Sequence, residues 1–122
     1  MNKFNDIMSI DNNSIEPLEK VIEQRVSNHA KQHGWLSFKF MSPATPSVCD
    51  RIFINRFGVV LFVEFKRKGR KLSPKQAIHA ESLSIHNANV FMIDDIEDGK
   101  ALIDKWHNSV SIINHDFSND DA

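Results

Sequence analysis

The sequence predicts an α/β domain, a mixed β-sheet flanked by helices. Three observations predict it. An almost unbroken apolar run from Val59 to Phe65 reads as a central strand covered on both faces. Apolar residues recur at helical spacing before it, in Leu18, Ile22, Val26 and Ala30, and after it, in Ile96, Leu102, Ile103 and Trp106. The segments then follow in the order helix, strand, hairpin, helix, strand, helix, which a mixed sheet with helical crossovers accommodates.

Residues 1–13 lack a period and are rich in Asn and Asp, so they read as an arm. The domain itself is expected over residues 14–114, with an acidic tail over 115–122. Ser14 suits a helix cap, with Glu16 and Pro17 just inside, and Gly34 stops that helix. Glu19 and Glu23 lie four apart on one flank of it. Trp35–Met41 alternates as a short strand, and the two prolines of Ser42–Ser47 mark a loop. Arg51–Ile54 and Val59–Lys66 form two strands around an Asn55–Gly58 hairpin turn. Ser73, Pro74 and Gln76 then supply a cap, a first-turn proline and a capping-box partner. This second helix runs to about His86, with Ile78 and Leu83 expected in the core. Ala88–Ile93 is a fourth strand, and the last helix carries Ile96, Leu102, Ile103 and Trp106.

A chain of 122 residues, 41% apolar, supports one modest core. The net charge of -1 excludes a globally basic, nucleic-acid-coating protein. The distribution is uneven, however: Lys66, Arg67, Lys68, Arg70, Lys71 and Lys75 crowd together, and local clusters decide docking onto phosphates. The single cysteine, Cys49, excludes an intrachain disulfide. No stretch approaches the ~20 apolar residues of a membrane helix, so a soluble, cytoplasmic protein is expected.

Glu64 is the anomaly of the central strand, because a carboxylate in an apolar run is costly without a partner. Side chains two apart on a strand share a face, so Glu64 and Lys66 project together, about 6–7 Å apart. Asp50 opens the preceding strand across a tight hairpin, and antiparallel pairing can bring it alongside Glu64. Two such carboxylates repel unless a divalent cation sits between them. A lysine on the same face can steady an attacking water or a phosphate oxygen. His29 and His33 lie one helical turn apart, but the sequence offers no cysteine or His-Glu-x-x-His pattern to complete a zinc site, so they read as a solvated face. His79 and His86 read the same way. Cys49 has no visible base to activate it and reads as loop packing.

Asp50, the Glu64-x-Lys66 triplet, the basic turn and the "LSPKQ" opening the second helix, in that order, resemble the PD-(D/E)xK nucleases. Within them, the stretch from Ser42 to Leu83 is similar to the virus-type replication-repair nuclease (VRR-NUC) domain, and the likeness extends over roughly Glu19–Ile103. The resemblance implies a restriction-endonuclease-like mixed sheet and a metal-dependent endonuclease. It implies Mg²⁺ or Mn²⁺ held by Asp50, Glu64, the backbone carbonyl of Phe65 and a carboxylate on the first helix. Glu23 is favoured for that last role by its distance from Gly34, with Glu19 as the alternative. Lys66 matches the catalytic lysine and Gln76 the motif glutamine. Lys68, Arg70, Lys71 and Lys75 are placed to hold the DNA backbone. Short standalone versions look like phage or prophage proteins acting in a bacterial host. For them the resemblance implies a homodimer cutting branched DNA such as four-way (Holliday) junctions. The chain departs from the family pattern at Cys49, where proline usually precedes the aspartate, and at Ser47, where glycine is common.

Two other functions compete. A nuclease-like fold that binds DNA without cutting would keep the same residues but bind independently of metal. A glycosidase using two carboxylates is disfavoured by the lysine, the basic turn and the lack of a sugar-stacking aromatic array.

Overall fold

The computed structural model describes residues 16–41 and 49–110. The expected arm over 1–13, the acidic tail over 115–122, the Ser14 cap and the Ser42–Ser47 loop lie outside the described residues. In chain order the elements are α1 (Glu19–Gln32), β1 (Leu36–Lys39), β2 (Arg51–Ile54), β3 (Val60–Phe65), α2 (Pro74–Ile85), β4 (Asn89–Ile93) and α3 (Ile96–Trp106). The four strands form one sheet in the order β1-β2-β3-β4. The first three run antiparallel, and β4 joins β3 in parallel, which requires the crossover that α2 provides. The mixed α/β architecture is therefore the one the sequence predicts.

Local chemistry explains the boundaries. The Ser73 side chain accepts the Gln76 amide while the Gln76 side chain accepts the Ser73 amide, so both halves of the capping box are made. Asp95 caps α3 by accepting the Asp98 amide at 3.0 Å. α1 begins later than Pro17 implies: Leu18 holds the N-cap position in extended conformation, with no side-chain cap bond. The β2–β3 turn is tied by Asn55, whose Oδ1 accepts the amides of Phe57 and Val59 while Nδ2 donates to the carbonyls of Trp106 and Ser109. One asparagine thus joins the hairpin to the end of α3. Gly58 (φ 85°) takes the left-handed conformation that closes this turn.

α1 and α3 pack side by side on one face of the sheet. Ile22, Val26, Ala30 and Ile103 meet Phe53, Leu61, Val63 and Phe65, all essentially inaccessible. Each of these side chains except Ala30 contributes about 1.5–3 kcal/mol through burial. Gly99 lets the helices approach, since a Cβ there would lie 2.4 Å from Cγ2 of Val26.

The opposite face is sparsely covered. α2 packs along β4 but contributes no buried residue, and Ile78 is 62% exposed, contrary to its expected place in the core. α2 carries apolar residues all round rather than on one stripe, so only part of them can meet the sheet. Leu36 and Phe38 on β1 are likewise exposed. β3 is accordingly sealed on the α1 side through Leu61, Val63 and Phe65 but only half-covered at Val60 and Phe62. No described helix is long and apolar enough to cross a membrane.

Candidate functional site

The alternation of β2 and β3 builds the site. Arg51 pairs with Val63, so Asp50, one step further, lies opposite Glu64. The ladder continues through that step: the Asp50 amide donates to the Val63 carbonyl at 3.1 Å, and the Asp50 carbonyl accepts the Phe40 amide at 2.9 Å. Asp50 is thereby held from both sides without the usual family proline before it. Its carboxylate Oδ2 accepts the Phe65 amide at 2.7 Å, and the fully buried Phe65 ring fixes that peptide. Glu64 is buried, and Gln76 Nε2 donates to its Oε2 at 2.8 Å. Gln76 therefore both caps α2 and holds the Glu64 carboxylate.

The electrostatics bear the marks of two carboxyl groups forced together. The Glu64 pKa is pushed up to about 8, first by burial, then by the Asp50 charge and a hydrogen bond shared with Asp50; Lys66 opposes the shift and Glu19 adds to it. The buried Cys49 thiol is pushed up to about 12 by burial and by the Glu64 and Asp50 charges, which makes it an inert packing group as expected. A largely apolar hollow of about 170 Å³, lined by Leu72, Ala80, Val90 and Phe91 among others, borders Glu64 and Gln76.

Beside the pair, a wider hollow of about 340 Å³ is bounded by Leu18, Glu19 and Lys20 on one side and Lys66, Arg67, Arg70 and Lys71 on the other. Five cations face one acid there. Lys66, Arg70 and Lys71 of the predicted set line this hollow; Lys75 and Lys68 do not. Lys68 turns to Asp95 at 3.6 Å, and Asp94 accepts the Gly69 amide, so two aspartates after β4 anchor the basic turn. Lys20 and Arg67 are lining residues absent from the predicted site. The signal for Lys20 was its place beside Glu19 at the start of α1, and for Arg67 its membership of the basic run.

Glu23 is engaged by other partners. Its carboxylate accepts Arg51 Nε at 2.7 Å and pairs with Lys39 at 3.1 Å. Arg51 follows Asp50 directly and projects to the opposite face, toward α1, so Glu23 is drawn away from the Asp50–Glu64 pair. Arg51 also donates to Ser37 Oγ, which meets Ser27 Oγ, completing a part-buried polar seam between α1 and the sheet. Glu19, one turn earlier, is the helix carboxylate whose charge reaches Glu64.

Two adjacent carboxylates, one neighbouring backbone carbonyl at Phe65 and an open approach suit Mg²⁺ or Mn²⁺, which bind through one or two carboxylates and keep their waters. The repulsion that lifts the Glu64 pKa is the kind a cation relieves. The residues present therefore fit such an ion.

No family model matches the chain. A solved structure, "VRR_NUC domain", superposes with a TM-score of 0.66 at 25% identity, covering 70% of this chain and 94% of that one. A phage protein named "Putative nuclease p44", from Acyrthosiphon pisum secondary endosymbiont phage 1, is 30% identical over 76 residues, 62% of this chain and 82% of that protein. The chain belongs to the VRR-NUC family of nucleases. As a VRR-NUC domain it has the mixed four-stranded sheet with three helices, and its relatives support nuclease activity.

Proposed function

We propose that the protein is a Mg²⁺- or Mn²⁺-dependent endonuclease that hydrolyses phosphodiester bonds in branched DNA, four-way junctions foremost. The observation that carries this reading is the placement of Asp50 opposite Glu64 beside a hollow lined by Lys66, Arg67, Arg70 and Lys71. A bound divalent ion would polarise the scissile phosphate and acidify a water. Asp50, Glu64 and the Phe65 carbonyl would hold it, with Glu19 rather than Glu23 as the helix carboxylate nearest the pair. Gln76 keeps Glu64 turned to its task. Lys66 places an ammonium where charge develops on the phosphate or on the attacking oxygen. Arg67, Arg70 and Lys71, with Lys20 across the hollow, grip the backbone without reading bases.

Symmetric cutting of a junction needs two centres, so we infer a homodimer. The sheet face carrying the exposed Leu36 and Phe38 offers apolar area for a second copy.

The test is cleavage of labelled four-way junction, flap and linear duplex with Mg²⁺ or Mn²⁺, with and without EDTA, alongside Asp50→Asn. Junction cutting that EDTA and the substitution both abolish supports the reading. Binding that persists under EDTA with no cutting under any metal would replace it by a non-catalytic DNA-binding module.

A further inference from the structure

The ends of α1 and α3 carry a second cluster. His29 and His33 lie one turn apart on α1, and α3 brings Asp104 to them. His29 Nε2 meets Asp104 Oδ1 at 2.8 Å, and the two imidazole rings lie 4.4 Å apart. One nitrogen from each histidine and one Asp104 oxygen all lie within 4.8 Å of one another, the only such three-residue grouping among the described residues. Along α1 this cluster stands about 20 Å from Glu19 and the nuclease centre.

The His33 tautomer favours ligation. His33 Nδ1 lies 2.8 Å from the His29 carbonyl, which can only accept, so Nδ1 carries the proton. The Nε2 lone pair of neutral His33 is then free, and its ring is oriented by the backbone carbonyl that so often supports a metal-bound histidine. The Asp104 carboxylate can only accept, so His29 Nε2 donates its proton to Oδ1, and an ion held by His29 Nε2 and Asp104 takes the place of that proton. His107 stands edge-on to His33 at 6.1 Å, but its Nδ1 accepts the Trp35 indole N–H, so it flanks the cluster rather than joining it.

The ion's class follows from the donors. Two imidazoles and a carboxylate suit Zn²⁺ and its borderline neighbours Co²⁺ and Ni²⁺, whereas Mg²⁺ prefers oxygen alone. Ligand atoms at about 2.0–2.2 Å from zinc stand roughly 3.3 Å apart, a contraction that the exposed His33 and Asp104 can make by small rotations. His33 is the C-cap of α1 and Asp104 sits in the last turn of α3, so both helix dipoles present their negative ends to a cation. Arg25 and Lys100 border the hollow beside His29, which disfavours ions held by charge alone and leaves imidazole ligation as the source of affinity. We propose that His29, His33 and Asp104 form a Zn²⁺-class site that clasps α1 to α3, separate from the Asp50–Glu64 centre.

The experiment uses the full chain and an Asp50→Asn/Glu64→Gln variant in which the nuclease carboxylates are neutralised. Zinc chloride at ten times its dissociation constant should raise the thermal midpoint of both by about 5–10 °C. The variant should take up one Zn²⁺ per chain, EDTA should reverse the shift, and Mg²⁺ at the same concentration should not reproduce it. His33→Gln, a change at an exposed position, should leave the metal-free midpoint in place and weaken uptake about tenfold or more. Co²⁺ should give a visible absorption band that this substitution removes. Undiminished Zn²⁺ uptake in His33→Gln, or no saturable uptake by the Asp50→Asn/Glu64→Gln variant, would overturn the proposal. Neither outcome bears on whether the protein cuts DNA.

Discussion

Asp50 lies across the β2–β3 ladder from Glu64, one step beyond the Arg51–Val63 pair, and its charge raises the Glu64 pKa. Metal-free stability therefore depends on pH in a defined sense. Glu64 ordinarily titrates at 4.5 but at about 8 in the folded chain. Between those values the folded state holds a proton that the unfolded state has lost, so its contribution is complete below pH 4.5 and disappears as pH rises through about 8. The unfolding midpoint in EDTA should fall from pH 5 to pH 9. Glu64→Gln, which can still accept the Gln76 bond, should flatten that decline, and Mn²⁺ should restore the parent protein above pH 8. Parallel slopes for the parent and Glu64→Gln would mean that the pair is not what titrates.

Lys66 leaves the end of β3 half-buried, with its amide held by the Ile93 carbonyl and its side chain toward the basic hollow. Removing the side chain leaves that backbone bond intact. Lys66→Ala is expected to fold as the parent does and to lose about 10²–10³-fold in cleavage rate, the usual cost of deleting one preorganised charge from a transition state. Circular dichroism with single-turnover cleavage checks both halves. Cleavage at the parent rate would remove Lys66 from the chemistry.

Glu19 and Glu23 should separate activity from stability. Glu23 is buried between Arg51 and Lys39, and taking one partner from a buried ion pair leaves an uncompensated charge. Glu23→Ala should lose about 3 kcal/mol of stability in urea titration. Glu19→Ala, at an exposed position, should change stability little and impair cleavage. The reverse pattern would return Glu23 to the centre.

Much of this was legible in the sequence, and the misses share a cause. The placement of Asp50, Glu64, Lys66 and Gln76 was readable because strand alternation, a short hairpin and a capping box are local, and each fixes its neighbours within a few residues. The choice between Glu19 and Glu23 depends on which sheet face α1 covers, and hence on Arg51 pointing away from Asp50, a relation between distant segments. Ile78 reads as core by type, but only the packing of α2 along β4 decides that it stays exposed. Lys68 belongs to the basic run in sequence, whereas its tie to Asp95 appears only once β4 places that residue beside the turn. Asp104 completes the His29–His33 cluster from 75 positions away, beyond the reach of any spacing rule.

The basic hollow sets the salt dependence of DNA binding. Lys20, Lys66, Arg67, Arg70 and Lys71 line it around Glu19, whereas Lys68 is paired with Asp95, which raises the Lys68 pKa and consumes part of its field. Each lining cation that meets a phosphate releases a counterion, so its loss should lower the slope of log affinity against log salt by about one. Arg70→Ala with Lys71→Ala should therefore weaken junction binding in Ca²⁺, lower the slope by about two, and act equally on junctions of different sequence. Lys68→Ala should shift the slope by less than either single substitution in that pair. If Lys68→Ala has the larger effect, DNA tracks the β4 side of the basic turn rather than the hollow between α1 and β3, and the substrate path must be redrawn along that edge.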